Sequence, residues 1–238
     1  MSYFQGFVIP VKEGDKTAYL DLAKKAAPVF AEYGALATVE CWEQDVPDGK
    51  QTDLRRAVKA EAGEKIVFSW IWWPDKAACD AAAPKLMEDE RMQPAGAMPF
   101  NPQRMIYGGY EPVVDSGSKG AFGYVDAIVG PAPGDGKDAF SDSAAKLDAF
   151  FLREGALRVV DGWGVDVPEG KVTDFRRAVA AEAGESVIFG WIEWPDKATR
   201  DATFGKMMQD PEMQASRPAF DMKRAIFGGF TPILDTSV

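Results

Sequence analysis

Apolar residues are spaced in two ways along the first half of the chain, and the spacing separates strands from helices. Residues 3–11 are apolar and rich in β-forming side chains, which predicts a strand. From Asp15 to Tyr33, apolar residues recur every three or four positions, which predicts a helix that ends at Gly34. Asp75 is a typical helix-capping residue, and a second helix is predicted from there to about Asp89.

Four further segments have the composition of strands, namely residues 36–46, 54–60, 66–73 and 104–113. The first of them ends in the turn Val46-Pro47-Asp48-Gly49-Lys50, where Pro presets φ and Gly takes a positive φ. The predicted order is therefore β-α-β-β-β-α-β, an α+β unit that occupies half of the chain.

This unit occurs twice. Trp42-Glu43-Gln44-Asp45-Val46-Pro47 recurs as Trp163-Gly164-Val165-Asp166-Val167-Pro168, an offset of 121 positions that holds over most of each copy. The period is far too long for a solenoid, so each copy is a domain-sized unit. We expect the two repeats at residues 1–115 and 122–238, joined by a polar Gly/Ser linker at 116–121.

The predicted strand at residues 66–73 is apolar on both of its faces. A sheet with one face in water would alternate apolar and polar residues instead. Because helices cover only one face of a sheet, the other copy is the obvious cover for the second face. The sequence therefore predicts two antiparallel sheets packed face to face within one chain.

Composition narrows the classes of function. The formal net charge is −10 over 238 residues. Proteins that bind nucleic acid present a positively charged surface to the phosphates, and this sequence has an excess of acidic residues instead, so we expect no nucleic-acid partner. No apolar run reaches the length of a membrane span, and the first residues do not resemble a signal peptide. We therefore expect a cytoplasmic protein without a membrane partner.

Histidine is absent, and the two cysteines, Cys41 and Cys79, have no counterparts in the other copy. Without histidine, the protein has no imidazole group for acid–base catalysis or for binding zinc or haem iron. Two cysteines cannot form a disulfide framework and almost exclude a cysteine-based metal site. We therefore expect no metal and no cofactor.

Several stretches of the sequence resemble those of a known protein family. Val46-Pro47-Asp48-Gly49-Lys50, Arg56-Ala57-Val58, Phe68-Ser69-Trp70-Ile71 and Arg104-Met105-Ile106-Tyr107-Gly108-Gly109 are similar to the bacterial YbaA-like proteins, a family of unknown function. The resemblance covers each copy almost end to end. It implies a dimeric α/β barrel, in which ferredoxin-like units pair their sheets, and hence an intrachain pseudo-dimer. Further pairing of whole chains stays open.

Polar residues on otherwise apolar strand faces are the candidate ligand site. A charge in such a place must be paired, lie at a cavity mouth, or be energetically costly. The guanidinium group of an arginine can donate two hydrogen bonds to a carboxylate or bind an enolate oxygen, and a desolvated carboxylate could serve as a base. If these faces line the barrel, one half offers Asp126, Asp161, Arg177 and Arg224, and the other offers Gln5, Glu40, Arg56 and Arg104.

Each candidate has a plainer explanation. The charged residues could form internal ion pairs or lie at strand ends in solvent. The paired tryptophans Trp42, Trp163, Trp70 and Trp191 could form a stacking wall for a flat ligand, or they could be core.

Two classes of function follow from these observations. The first is a small-molecule binding or stress-associated module without chemistry of its own. The alternative is a cofactor-independent enzyme, resembling a monooxygenase or isomerase, that acts on a small oxygenated or aromatic compound. The wider barrel group includes both classes, so the resemblance implies a fold and a cavity rather than one reaction. An association with RNA, a label carried by some relatives, has no support in the charge.

We predict that the purified protein carries no stoichiometric metal and no haem, because it has no histidine and its cysteines are unmatched. Elemental analysis and an absorbance scan test this prediction. A stoichiometric metal or a Soret band would contradict it.

Overall fold

Each half of the chain consists of four strands with helices between them. The computed structural model describes residues 2–93 and 96–237. The first half contains β1 (Tyr3–Lys12), α1 (Lys16–Glu32), β2 (Ala37–Asp45), α2 (Leu54–Ala57), β3 (Glu64–Trp73), α3 (Lys76–Glu88) and β4 (Ile106–Gly117). The second half contains β5 (Tyr124–Pro133), α4 (Lys137–Glu154), β6 (Arg158–Asp166), α5 (Phe175–Ala178), β7 (Glu185–Trp194), α6 (Lys197–Met207), α7 (Pro211–Ala215) and β8 (Ile226–Asp235). Short 3₁₀ turns lie at Glu13–Asp15 and Glu90–Met92.

The strands form one closed antiparallel barrel in the order β1-β3-β2-β8-β5-β7-β6-β4. Each half contributes four adjacent strands in the order β4-β1-β3-β2 or β8-β5-β7-β6. The halves join edge to edge, with β2 paired to β8 and β4 paired to β6. The α+β class and the intrachain pairing of two repeats are thus confirmed, and the pairing also closes the sheets laterally.

Aromatic side chains fill the barrel. Phe68 and Phe189, which correspond between the two copies, stack at 4.5 Å between ring centroids. Trp70 and Trp191 correspond in the same way and stack at 4.3 Å. An eight-stranded barrel has an interior just wide enough for its side chains, and these rings fill its centre. The barrel is therefore the main hydrophobic core.

Strand β3 is buried along almost its whole length, as its sequence predicts. Phe68 and Trp70 point into the barrel, where they belong to the central cluster. Ile71 and Trp73 point the opposite way and contact side chains of α1 and α3. The doubly apolar pattern thus reflects a strand between the barrel core and the helix layer.

The strand predicted at residues 54–60 is wrong, because both copies form a single helical turn there. Asp53 caps α2 by accepting a hydrogen bond from the backbone N–H of Arg56 at 2.8 Å. Leu54, Ala57 and Val58 have helical spacing and are buried together in the barrel cluster. The order in each repeat is accordingly β-α-β-α-β-α-β, with an additional short helix, α7, in the second.

Helices α2 and α5 close one end of the barrel and hold the two halves together. The Thr52 hydroxyl donates to the carbonyl of Ala178 at 2.6 Å, and the Thr173 hydroxyl donates to the carbonyl of Ala57 at 2.6 Å. These reciprocal bonds cross between the copies. The fold therefore depends on contacts that neither half can make alone.

We predict that Phe189→Ala destabilises the protein by about 3–5 kcal/mol, as truncation of a core aromatic does. Its ring contacts those of Phe4, Phe68 and Tyr110 across the barrel. Urea unfolding measures the change. Met87→Ala, at a side chain that is 77% exposed, is the control and should stay within about 0.5 kcal/mol.

Candidate functional site

The large cavity lies outside the barrel, in the second half, between the outer face of the sheet and helices α4, α6 and α7. Its volume is about 930 Å³, which is the size of a small-molecule site. Its walls are mostly apolar and include Phe140, Leu147, Phe151, Ile192, Phe204, Met207, Met213, Phe220 and Met222. The cavity can therefore enclose an organic compound whose surface is largely apolar.

The first half supplies one edge of this cavity. This edge is formed by the end of β2 and the turn after it, with Glu43, Gln44, Asp45, Val46 and Pro47. The Tyr124 hydroxyl donates to Asp45 Oδ2 at 2.9 Å, and the Lys197 ammonium lies 3.6 Å from the same carboxylate. These contacts fix the edge against β5 and α6, so both copies form the site.

Two carboxyl groups meet at the wall of the cavity. Asp148 is on the inner face of α4 and is 4% exposed, while Asp161 extends from the outer face of β6. Both groups line the cavity, and they are close enough for the charge of Asp161 to act on Asp148, whose Oδ2 is buried without a hydrogen-bond partner among the described residues. Gly190 on the neighbouring strand makes room, because a Cβ atom there would collide with the Asp161 carboxylate. Among the described residues, neither acid has a cationic partner within salt-bridge distance.

Burial controls the protonation of this pair. Desolvation raises the pKa of Asp161 to about 6. Desolvation, together with the negative charge of Asp161, raises the pKa of Asp148 to about 9. Two adjacent carboxylates with no cation cannot both ionise easily, so near neutral pH they share one proton. The site then presents one acid and one base side by side.

A third acid, Asp126 of β5, also lines the cavity. Arg200 of α6 binds it with two nitrogens, Nε and a terminal nitrogen, at 2.8–3.0 Å. The Trp194 indole N–H donates to the same carboxylate at 3.0 Å. Desolvation raises the pKa of Asp126 against the opposing effect of Arg200. This group is an ion pair that shapes the wall rather than a free base.

The equivalent place in the first half has different chemistry. Glu40 corresponds to Asp161, and its Oε2 accepts a hydrogen bond from the Tyr19 hydroxyl at 2.6 Å. Desolvation raises the pKa of Glu40 to about 7. Ala27 stands where Asp148 stands in the second half, so no second acid faces Glu40. Gln5, at the position of Asp126, accepts from the indole N–H of Trp73 at 3.1 Å.

The expectation that the polar strand residues converge inside the barrel is wrong. Glu40, Asp126 and Asp161, like Gln5, point outward toward the helix layer, because the aromatic rings occupy the interior. The alternation of side chains along each strand correctly predicts that these residues share one face of the sheet, but that face is the outer one.

The four candidate arginines lie elsewhere. Arg56 and Arg177 are on α2 and α5, and their side chains are 54% and 52% exposed. The prediction that they share a strand face with apolar neighbours is wrong, because these segments are helical. Arg104 forms a buried two-bond pair with Glu64, at 2.6 and 2.7 Å. Arg224 pairs in the same way with Glu185 at 2.7–2.8 Å. These arginines bind acids of the protein itself.

The tryptophans divide between the two layers. Trp70 and Trp191 belong to the barrel core, and Trp191 also borders the cavity. Trp42 and Trp163 are on the outer face, where the Lys16 ammonium lies 5.1 Å from the ring centre of Trp42. The ring of Trp163 lies 5.9 Å from that of Phe140. Core packing therefore explains most of their burial.

Sequence reasoning missed Asp148 and Arg200. Asp148 interrupts the apolar stripe of α4, and the corresponding residue of α1 is Ala27, so a comparison of the copies carries the signal. Arg200 replaces Cys79 in the same comparison. Within residues 2–93 and 96–237, no cluster of cysteine or carboxylate side chains is arranged to hold a metal ion. No helix in this described part is long and apolar enough to cross a membrane.

A closed barrel made of two four-stranded halves, with helices outside, is the architecture of a dimeric α/β barrel, built here from one chain. The chain belongs to the DUF1428 family, described as proteins of unknown function, whose model matches residues 2–102 and again 123–222. The uncharacterised protein YbaA of Escherichia coli K12 is 56% identical over 116 residues, which cover 48% of this chain and 99% of YbaA.

Solved structures show the same fold at low sequence identity. An "anthrone oxidase-like protein" matches with a TM-score of 0.62 and 13% identity, covering 98% of this chain and 92% of that one. A "putative monooxygenase" from Lactobacillus acidophilus matches with a TM-score of 0.57 and 12% identity, covering 98% of this chain and 95% of that one. At such identity the likeness establishes the fold alone.

The shared proton leads to a prediction about pH. Both aspartates have pKa values above the ordinary 3.8, so between about pH 4 and pH 9 the folded state holds protons that the unfolded state has lost. Folded-state stability therefore falls as the pH rises through this window. Asp148→Asn removes one acid and should gain stability relative to the wild type as the pH rises. The gain between about pH 5 and about pH 8 should exceed about 1.4 kcal/mol, the equivalent of one pKa unit.

Urea unfolding at the two pH values measures this difference. Asp142→Asn, at an exposed position of the same helix, is the matched control and should show no such change. Equal behaviour of the two variants would show that Asp148 and Asp161 titrate as ordinary surface acids.

Proposed function

We propose that the second half binds a small, largely apolar compound carrying a carbonyl, enol or phenol oxygen, and that Asp148 and Asp161 transfer a proton on it. The observation that supports the proposal most strongly is a pair of buried acids without a cationic partner among the described residues, in the wall of an apolar cavity of about 930 Å³. A perturbed acid in a concave site is the usual mark of acid–base function.

The pair supplies both partners of an enolisation. The neutral carboxyl donates a hydrogen bond to the carbonyl oxygen of the ligand, and the carboxylate removes a proton from the adjacent carbon. The C–H electron pair then forms the C=C bond of the enol, and the oxygen gains the proton of the acid. In a ligand with a C=C bond next to the reacting carbon, the product is a dienol: the protonated base then returns its proton to the far carbon of that bond, the enol O–H proton goes back to the other carboxylate, and the C=O bond re-forms with the C=C bond shifted. This completes an isomerisation. This reaction needs no group beyond the two carboxyls.

The likeness in fold to proteins described as a "putative monooxygenase" and as anthrone oxidase-like agrees with chemistry on oxygenated compounds. In an oxygenase, dioxygen as co-reactant would attack the enolate that the same base produces. The apolar, aromatic lining suits a compound with a flat ring system.

Binding without chemistry is the second candidate, and the filled barrel favours it. Aromatic side chains occupy the barrel core, and Arg104 and Arg224 are engaged with acids of the chain. A module that binds a small compound under stress would use the same cavity in the helix layer.

We further propose that the protein acts in the cytoplasm as one pseudo-dimer, with residues 1–115 and 122–238 as its repeats and 116–121 as the linker.

Deuterium exchange separates the two candidates. The probe is 2-tetralone, a bicyclic ketone with a fused aromatic ring and exchangeable protons next to its carbonyl, and NMR in deuterated buffer follows the exchange. We expect the wild-type protein to accelerate exchange and Asp161→Asn to lose roughly 10²-fold or more of this rate, as for loss of a general base. Glu40→Gln, the equivalent change in the first half, is the matched control and should keep the rate.

Ala144→Leu tests the place of binding, because Ala144 lines the cavity on α4. It should weaken the thermal stabilisation that 2-tetralone gives to the wild-type protein. Binding that Ala144→Leu weakens, without any exchange, would select the binding module. An equal loss of exchange in Glu40→Gln and Asp161→Asn would contradict a site confined to the second half.

A further inference from the structure

A second polar site lies at the end of the barrel where β6 begins. Arg158 points into the barrel from the first residue of that strand and is 5% exposed. Its guanidinium lies 4.9 Å from the ring centre of Trp72. Nε donates to Asp115 at 2.7 Å, and one terminal nitrogen reaches Glu193 at 3.5 Å. The other terminal nitrogen is buried without a partner among the described residues.

A small space of about 60 Å³ adjoins this group. Ala37, which corresponds to Arg158 in the first half, is one of its walls, and the absence of a long side chain there leaves the room. Trp70 and Trp72 form its apolar floor, and Lys119 of the linker between the halves also lines it. The space exists because the two copies differ at this position.

The charges around the space are uneven. The Lys119 ammonium lies 5.7 Å from the ring centre of Trp72 and has no ion-pair partner among the described residues. The Arg158 side chain lines the same space and carries a terminal nitrogen without a partner among the described residues. Two cationic groups with unused donors thus border one small space, which favours an anion over a neutral occupant. Glu193 opposes this, because its carboxylate accepts from Arg158 and from the indole N–H of Trp191 at 2.9 Å.

We propose that this space binds a small oxyanion of the size of formate, held by the guanidinium of Arg158 and by Lys119 against Trp72. A planar oxyanion matches the donor geometry of a guanidinium. The site is separate from the cavity of the second half, so this proposal does not depend on the proposed function.

The test compares thermal unfolding of the full chain in sodium formate and in sodium gluconate at equal ionic strength. Gluconate is too large for the space and serves as the reference anion. We expect saturable stabilisation by formate alone, accompanied by a change in tryptophan fluorescence, since Trp70 and Trp72 line the site. Arg158→Lys should weaken formate binding by roughly tenfold or more, the effect of losing a charge-assisted hydrogen bond.

Three further variants sharpen the result. Lys119→Gln should weaken formate binding, and Glu193→Gln should tighten it, because the competing carboxylate is removed. Arg217→Lys, at an exposed arginine that donates only to backbone carbonyls, should bind formate like the wild type. Because each variant is compared with itself in gluconate, a general loss of stability does not obscure the outcome. Equal unfolding temperatures in the two salts, or unchanged formate affinity in Arg158→Lys, would overturn the proposal.

Discussion

Aromatic packing inside the closed barrel is the constraint on which the rest of the structure depends. The stacks of Phe68 on Phe189 and of Trp70 on Trp191 join equivalent residues of the two copies. Since these rings fill the centre of the barrel, the cavity large enough for an organic compound forms between the sheet and the helices. On the outer face of the strands, Glu40, Asp126 and Asp161 meet side chains of the helices instead.

Duplication within one chain has allowed the two copies to differ where an ordinary homodimer would be symmetric. In the first half, a tyrosine hydroxyl satisfies the buried Glu40, and the neighbouring positions are neutral. In the second half, an alanine-to-aspartate difference places Asp148 against Asp161, and a serine-to-glycine difference at position 190 makes room for them. The buried acid of the first copy, Glu40, therefore serves the packing of the fold, while the second copy has a pair of acids at the wall of a cavity. The edge contributed by Asp45 ties the structural copy to the site of the other.

The sequence is sufficient to predict the repeat, most of the strands and the pairing of the halves, because all three follow from long apolar patterns. It misassigns residues 54–60, since a single helical turn and a short strand have the same apolar content over so few positions. Strand phase places Glu40 with Trp42 and Asp161 with Trp163, but it cannot tell which face points into the barrel. Both faces are buried, so both are apolar. Asp148 escapes prediction because its partner is on a different element, 13 residues away in sequence and visible only in the fold.

The central claim is that Asp148 and Asp161 share a proton within the cavity at neutral pH. Infrared spectroscopy tests it most directly, because a neutral carboxylic acid has a C=O stretching band that a carboxylate lacks. The account predicts this band in the difference spectrum of the wild type minus Asp148→Asn at neutral pH, and its loss at strongly alkaline pH. A difference spectrum that contains only carboxylate bands at neutral pH would contradict the account.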